Sequence, residues 1–336
     1  MASDAAASRV VEIHTLPLTI LALVAFAGNS LLTRLALTRT TIDPASFTSI
    51  RLVAGAIVLA VIFCGRGGAY RFGGTWASAA ALFVYAAAFS FAYVRLTTGT
   101  GALLLFGAVQ ATMITVGVAR GERLSRVQGG GLLLAYGGLV ALVLPGLAAP
   151  TLRSAALMLA AGTAWGVYSL RAKQAGDPIA ATAGNFARAV PFGLTLSFGF
   201  RSTLVVDAPG LMYAVASGAI ASGIGYAIWY TALCGLRATT AATMQLSVPV
   251  IAALSGVLLL GEPLTTRLVG AGVAILAVWH WWCWRPSSVR SSNNLAPAGT
   301  PRSSPDPAPH PRYRASVRRA AAARCRWWSR SRSRRS

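Results

Sequence analysis

The feature that most constrains what this chain can fold into is a series of long segments without a charged side chain. Eight such runs contain 17 or more residues each: 13–33, 72–94, 96–119, 127–152, 154–170, 208–236, 238–261 and 268–284. Each run is long enough, or nearly so, to cross a hydrocarbon core of about 30 Å as a helix. Two more apolar stretches, 44–64 and 178–200, each contain a single arginine. Lipid offers no hydrogen bonds to exposed backbone and no segment alternates with period two, so the chain is predicted to be an all-α membrane protein with ten transmembrane helices.

Composition points to the same class of protein. Of the 336 residues, 55% are apolar and only 11% are charged, whereas a soluble domain has about 25% charged residues. The net charge of +22 is unevenly distributed, because residues 285–336 hold 13 of the 30 basic side chains. This tail is rich in Arg, Ser and Pro and is predicted to be disordered. Three interpretations of it stay open: binding to anionic lipid, binding to RNA, and a shifted reading frame.

The basic residues also predict the orientation of the chain. If residues 1–15 are cytoplasmic, the inner segments hold 11 basic residues and the outer loops hold 6. The positive-inside rule therefore favours both termini in the cytoplasm. The four cysteines are isolated singles with no CxxC pair, so no metal site is predicted and no cofactor is expected.

The two halves of the chain repeat the same motifs in the same order. A Gly-Glu-x-Leu-Ser/Thr turn occurs at 121–125 and 261–265, an Asp-Pro pair at 43–44 and 177–178, and a glycine within a span at Gly28 and Gly166. The spacings are 140, 134 and 138 residues. A glycine can end a helix in the left-handed conformation, Ser125 or Thr265 can cap the next helix, and aspartate followed by proline starts one. Five spans in each copy make the second copy enter the membrane from the opposite side, which predicts two inverted five-helix repeats.

This arrangement resembles the EamA domain of the drug/metabolite transporter (DMT) superfamily, which has two five-helix repeats. The resemblance rests on the two Gly-Glu turns, on Arg51 and Leu52 after Phe47 in the second span, and on Pro249 in the ninth span. It divides the chain into a cytoplasmic N-terminus at 1–15, a first repeat at 16–146, a second repeat at 154–284 and a disordered tail at 285–336.

Polar and charged side chains within the spans are the candidates for contact with a substrate. Arg188 lies ten residues after Pro178, near the middle of its span, and Arg51 lies seven residues after Pro44. No predicted span contains an acidic residue, so we expect Arg188 to attract an anionic group of the substrate. The predicted substrate-binding residues are Arg188, Asn185, Arg51, Asn29, Tyr93, Trp165, Tyr226, Tyr230, Gln110 and Gln245. The alternative for each is helix packing or a hydrogen bond within the protein.

These features predict a secondary transporter, not an enzyme, which moves small organic metabolites across the bacterial inner membrane by alternating access. The family resemblance implies export and substrates that are similar to amino acids or drugs. The expected partners are the small-molecule substrate and membrane lipid; no nucleic acid is expected apart from the open question of the tail, and a homodimer is left open. Two alternatives remain: a membrane enzyme acting on lipid-linked substrates, and a non-transporting scaffold that works through its basic tail.

Overall fold

The computed structural model describes residues 2–66, 72–119, 150–172, 177–233, 244–245, 247–266, 268–270 and 272–273, with isolated positions at 121, 130, 133, 137, 140 and 144. Side chains are described from Thr15 onward. Within these residues the secondary structure is helical, with no strand. Most of the predicted fifth and tenth spans and the whole of the 285–336 tail lie outside the described residues.

The described helices follow the order of the predicted spans. They are α1 (Ala2–Arg39), α2 (Pro44–Gly65), α3 (Trp76–Tyr93), α4 (Thr98–Ala119), α5 (Leu152–Ala172), α6 (Pro178–Gly199), α7 (Ala208–Ala216), a π-helix (Ser217–Ile224), α8 (Gly225–Leu233) and α9 (Val248–Leu260). A single 3₁₀ turn, Arg201–Thr203, follows α6. The π-helix joins α7 and α8 into one continuous helical segment.

Five of the described segments are long and apolar enough to cross a membrane. They are Thr15–Arg39, Pro44–Gly65, Trp76–Tyr93, Thr98–Ala119 and Ala208–Ala232. The helices α5 and α6 have comparable lengths of 21 and 22 residues but are not in this set. Helix α6 is less apolar because it contains Thr182, Asn185, Arg188 and Ser197. The described part of the chain is therefore a bundle with several helices suited to a membrane.

The predicted helix boundaries depend on local capping and are confirmed where they are described. Asp43 accepts hydrogen bonds from two backbone N–H groups at the start of α2, and Asp177 does the same at the start of α6. Gly121 and Gly261 both have positive φ, at 93° and 68°, as a left-handed helix end requires. The hydroxyl of Thr265 accepts a hydrogen bond from the backbone N–H of Leu268 at 3.1 Å. The corresponding cap at position 125 lies outside the described residues.

Helices from the two predicted halves pack against each other. Helix α1 packs against the α7–α8 segment and against α9, whereas α5 packs against α3 and α4. Helices α2 and α6 pack against each other. Large apolar side chains remain exposed on the outer surfaces of these helices, such as Val61 at 67%, Phe198 at 67% and Leu258 at 79%. Such surfaces suit contact with lipid chains, since a water-facing surface would expose polar groups instead.

Candidate functional site

A small cavity lies inside the bundle, between helices of both predicted halves. Its walls are Phe26, Asn29, Ser30, Tyr85, Phe89, Leu105, Phe106, Trp165, Ala221, Tyr226 and Gln245. The cavity volume is about 20 Å³, which is room for roughly one water molecule. A metabolite needs a larger pocket, of at least about 300 Å³. The bundle is therefore closed around this centre.

A buried chain of hydrogen bonds connects the cavity wall to the helices behind it. The hydroxyl of Ser217 donates to Asn29 Oδ1 at 2.7 Å, and Asn29 Nδ2 donates to the hydroxyl of Tyr85 at 3.1 Å. Arg51 Nη2 donates to the same Tyr85 oxygen at 3.0 Å. These four side chains come from α1, α2, α3 and the π-helix. The chain of bonds therefore fixes the position of Tyr85 within the wall.

Arg51 lies directly behind two aromatic residues of the cavity wall. Its side chain is 2% exposed, and its guanidinium carbon is 5.2 Å from the ring centroid of Tyr85 and 5.1 Å from that of Phe89. A cation over an aromatic face is attracted by the ring quadrupole. Arg51 Nη1 is buried, and no residue in the described part of the chain forms a hydrogen bond with it. Part of the hydrogen-bonding capacity of this cation is thus unused.

Aromatic rings form most of the rest of the wall and contact one another. The ring centroids of Tyr85 and Trp165 are 4.8 Å apart, those of Trp165 and Tyr226 are 5.2 Å apart, and those of Phe26 and Tyr226 are 5.7 Å apart. Tilted and edge-to-face pairs at such distances are favourable arrangements. Trp165 contacts rings from both predicted halves. The cavity is consequently suited to a flat apolar group.

The structure brings five of the predicted substrate-binding residues to this region. Asn29, Trp165, Tyr226 and Gln245 line the cavity, and Arg51 contacts two of its lining residues. Their role in binding a substrate stays a prediction. Arg51 is almost completely buried, which is a property of the surrounding helices that its position along α2 does not indicate.

Arg188 and Asn185 lie elsewhere, where the loop before α3 meets α6. Arg188 Nη1 donates to the backbone carbonyls of Gly73 and Gly184 at 2.7 and 2.9 Å. Asn185 Oδ1 accepts a hydrogen bond from the backbone N–H of Thr75 at 3.0 Å. The Arg188 side chain points toward the N-terminal end of its helix, as helical side chains generally do. The guanidinium of Arg188 therefore lies nearer the end of the bundle than its backbone does.

The last three predicted residues are in the helices but not among the residues that line the cavity. Tyr93 is fully buried at the end of α3 and donates through its hydroxyl to the carbonyl of Thr98 at 3.3 Å. Gln110 is buried in α4, and Tyr230 is half-buried one turn after Tyr226. For these residues too, a role in substrate binding stays a prediction.

Sequence reasoning missed Tyr85, the residue in which the hydrogen bonds of the cavity wall meet. A signal for it exists in the sequence, because Tyr85, Phe89 and Tyr93 follow one another at intervals of four residues. Such a spacing places all three rings on one face of a helix. Serine and alanine at Ser30 and Ala221 carry no comparable signal, since small residues are common throughout these spans.

One end of the bundle is closed by an ion pair, and we call it the Glu262 end. Arg34 Nε contacts Glu262 Oε1 at 3.2 Å, with side chains that are 17% and 11% exposed. Arg34 Nη1 also donates to the carbonyl of Tyr93 at 2.8 Å and to that of Val94 at 3.1 Å, at the end of α3. The second carboxylate oxygen of Glu262 accepts from the backbone N–H of Thr98, the first residue of α4, at 2.7 Å. One ion pair therefore joins α1, α3, α4 and the residues after α9.

The opposite end, which we call the Asp177 end, is closed mainly by hydrogen bonds to backbone groups. The N–H of Gly73 donates to the carbonyl of Ala180 at 3.1 Å. Arg171, at the end of α5, donates to the hydroxyl of Ser78 at 3.0 Å. Together with the contacts of Arg188, these bonds hold the loop before α3 against the start of α6. The cavity is thus separated from both ends of the bundle by polar contacts between helices.

Comparison with known proteins identifies the kind of protein to which this bundle belongs. The EamA-like transporter family matches residues 152–280. Residues 152–280 are therefore identified as an EamA-like transporter domain, a domain of the DMT superfamily. This match and the five helices that are long and apolar enough to cross a membrane together indicate a multi-pass membrane protein of the transporter class. The resemblance to the EamA family is confirmed.

Two further proteins are each similar to this chain over most of its length. An uncharacterized protein of Pseudomonas aeruginosa is 57% identical over 264 residues, which is 78% of this chain and 92% of that protein. A protein crystal structure with 20% sequence identity matches with a TM-score of 0.56, covering 78% of this chain and 98% of the other. At that identity the likeness shows the fold alone.

Proposed function

We propose that this EamA-family protein is a secondary transporter that exports small organic metabolites, similar to amino acids or drugs, by alternating access. The observation that carries the proposal is the closed cavity between helices of the two halves. A transporter of this kind binds its substrate near the middle of the membrane, at the interface between its repeats. The protein acts in the bacterial inner membrane with both termini in the cytoplasm.

The architecture that we propose is ten helices in two inverted repeats, at 16–146 and 154–284. The way in which helices of each half pack against helices of the other half supports this architecture. If the repeats are related by a pseudo-two-fold axis, the first span corresponds to the sixth, the third to the eighth and the fourth to the ninth. The packing of α1 on the α7–α8 segment and α9 then corresponds to the packing of α5 on α3 and α4.

Two backbone contacts support the same symmetry. The N–H of Asp43, at the start of α2, donates to the carbonyl of Val205, in the loop before α7, at 3.1 Å. Near the start of α6, the carbonyl of Ala180 accepts from Gly73, in the loop before α3. In both halves, the second helix begins beside the loop that precedes the third helix of the other half. A two-fold relation between the halves accounts for both contacts at once.

Alternating access requires that one end of the bundle opens while the other stays closed. The cavity has room for about one water molecule, so loading a metabolite requires helices to separate. At the Glu262 end this breaks the Arg34–Glu262 ion pair, and at the Asp177 end it breaks the bonds of Gly73 and Arg188. These contacts are polar, and water that enters an opening end can replace them.

The proposal is tested by a screen for exported compounds with a variant whose cavity is filled. Cells with and without the protein are challenged with amino acids, their analogues and common drugs, and growth and extracellular concentrations are measured. Ala221 lines the cavity and is 3% exposed, whereas the neighbouring Ile220 is 58% exposed. We expect Ala221→Phe to abolish export and Ile220→Phe, a matched control on the outer face, to retain it.

Two results would overturn the proposed function. One is a screen in which no compound leaves the cells faster when the inserted protein is present. The other is export by Ala221→Phe at the wild-type rate, because the path would then avoid the cavity. Quantifying both variants in isolated membranes separates a loss of transport from a loss of insertion.

A further inference from the structure

A buried positive charge lies directly behind the cavity wall, and no described residue neutralises it. Among the residues with described side chains, the acidic groups are Asp43, Asp177, Asp207 and Glu262: the three aspartates each directly precede a helix, and Glu262 pairs with Arg34. Arg51 is 2% exposed, and its partners are a phenol and two aromatic rings. A buried cation without a carboxylate partner is costly to maintain. A ligand that supplies the missing negative charge recovers part of that cost.

Tyr85 connects Arg51 to the cavity, because it lines the cavity and is hydrogen-bonded to Arg51. Its hydroxyl oxygen accepts hydrogen bonds from both Arg51 and Asn29. A phenol oxygen that accepts two bonds still has its own proton to donate. No acceptor for that proton occurs among the described residues. Donation by a cation to the phenol oxygen also strengthens the phenol as a donor, because hydrogen bonds in a chain polarise one another.

The remaining walls restrict what else the ligand can carry. Trp165, Tyr226, Phe26 and Phe106 provide apolar aromatic surface, and none of the described side chains that line the cavity is charged. A ligand cation would meet the positive charge of Arg51 with no carboxylate to offset it. Once the helices separate to admit a ligand, the rings favour a flat apolar group and Tyr85 favours an anionic group.

We propose that Arg51 and Tyr85 form an anion-selecting subsite whose ligand is a small organic carboxylate with a flat apolar group. Tyr85 donates its phenolic proton as a hydrogen bond to the carboxylate, and Arg51 supplies the charge behind it. The inference rests on the proposed function, because it names the class of substrate that the transport cavity selects. It assigns Tyr85 as a residue that contacts the substrate and Arg51 as the origin of charge selectivity.

Three probes with the same ring and different charge test the subsite: benzoate, benzyl alcohol and benzylammonium. The purified full chain is titrated with each at neutral pH, and binding is measured from the ligand-dependent rise in melting temperature. We expect benzoate to bind at least about tenfold more tightly than benzyl alcohol, since a charge-assisted hydrogen bond contributes more than a neutral one. Benzylammonium is expected to bind most weakly of the three.

Variants assign the selectivity to the two residues. Arg51→Gln should reduce benzoate binding by about tenfold or more and leave benzyl alcohol within about twofold of wild type. Tyr85→Phe keeps the ring and the buried arginine, and should reduce benzoate binding by about fivefold. Arg201→Gln removes an exposed charge far along the chain from this site and is the matched control, with binding unchanged. If Arg51→Gln does not fold, Tyr85→Phe still decides the question.

The inference is overturned if benzyl alcohol or benzylammonium binds wild type as tightly as benzoate, or if benzoate does not bind up to its solubility limit. It is also overturned if Tyr85→Phe keeps the full preference for benzoate. These outcomes differ from a failure of the proposed function. If a neutral compound is still exported and this export depends on Ala221, only the proposed subsite is overturned. If benzoate binds selectively but no compound is exported, only the proposed transport function is overturned.

Discussion

Arg51 and Arg188 occupy corresponding helices of the two proposed repeats but have opposite surroundings. Each follows an Asp-Pro helix start, by seven and ten residues respectively from the proline. Arg188 Nη1 is satisfied by two backbone carbonyls, whereas Arg51 Nη1 has no hydrogen-bond partner among the described residues. The first arginine joins a loop to a helix, and the second places a charge behind the cavity wall. The partners of a charged side chain therefore indicate its role better than its depth along a helix does.

The largest effect is expected from disturbing the contact that Arg188 supports. A methyl group on Gly184 would overlap the carbonyl oxygen of Gly73, a backbone atom that cannot move freely. Gly184→Ala should lower the free energy of unfolding by about 1–3 kcal/mol or more, measured by denaturation in detergent. Gly199→Ala is the matched control in the same helix, because no atom lies within 4 Å of its added methyl group. Equal stability of the two variants would contradict the close packing of α6 against the loop at residue 73.

Replacing each arginine with methionine compares the two sites directly. Arg188→Met removes a donor from the Gly73 carbonyl and should lower the free energy of unfolding by about 1–3 kcal/mol. Arg51→Met removes a buried cation that lacks a carboxylate partner, and should leave stability unchanged or raise it. Denaturation of both variants under the same conditions provides the measurement. A greater loss for Arg51→Met than for Arg188→Met would reverse the assignment of the two roles.

The smallest effect is expected from two buried serines in the π-helix. Ser217 donates to Asn29 and so supports Tyr85 beside Arg51, whereas the hydroxyl of Ser222 is buried without a partner. Ser217→Ala should lower the free energy of unfolding by about 0.5–1.5 kcal/mol. Ser222→Ala should leave it unchanged or raise it slightly, because burying an unbonded hydroxyl is unfavourable. If both substitutions change the melting temperature by the same amount, the hydrogen-bond chain is contradicted.

Local features of this protein were predictable because they depend on neighbours in the sequence. The helix starts at Asp43 and Asp177 and the helix ends at Gly121 and Gly261 follow from backbone geometry and capping. The membrane class follows from the charge-free runs. These features needed no knowledge of which helices pack together.

The arrangement of the cavity was only partly predictable, because it depends on contacts between distant residues. Asn29 and Gln245 were predicted as substrate-binding residues because they are polar residues in apolar spans, and both line the cavity. Tyr85 did not, because its position is set by Arg51 and Asn29, which are 34 and 56 residues away. For Arg188, backbone depth alone did not indicate that its long side chain reaches back to residue 73.

The central claim of this account is that the two halves enter the membrane in opposite senses around the shared cavity. Equivalent positions of the repeated turns test it most directly: Arg123→Cys and Pro263→Cys, 140 residues apart, in a chain whose four native cysteines are replaced by alanine. The measurement is labelling of intact cells with a membrane-impermeant maleimide. We predict that Pro263→Cys is labelled from outside and that Arg123→Cys is labelled only after the membrane is permeabilised. Labelling of both positions from the same side would contradict the inverted repeat.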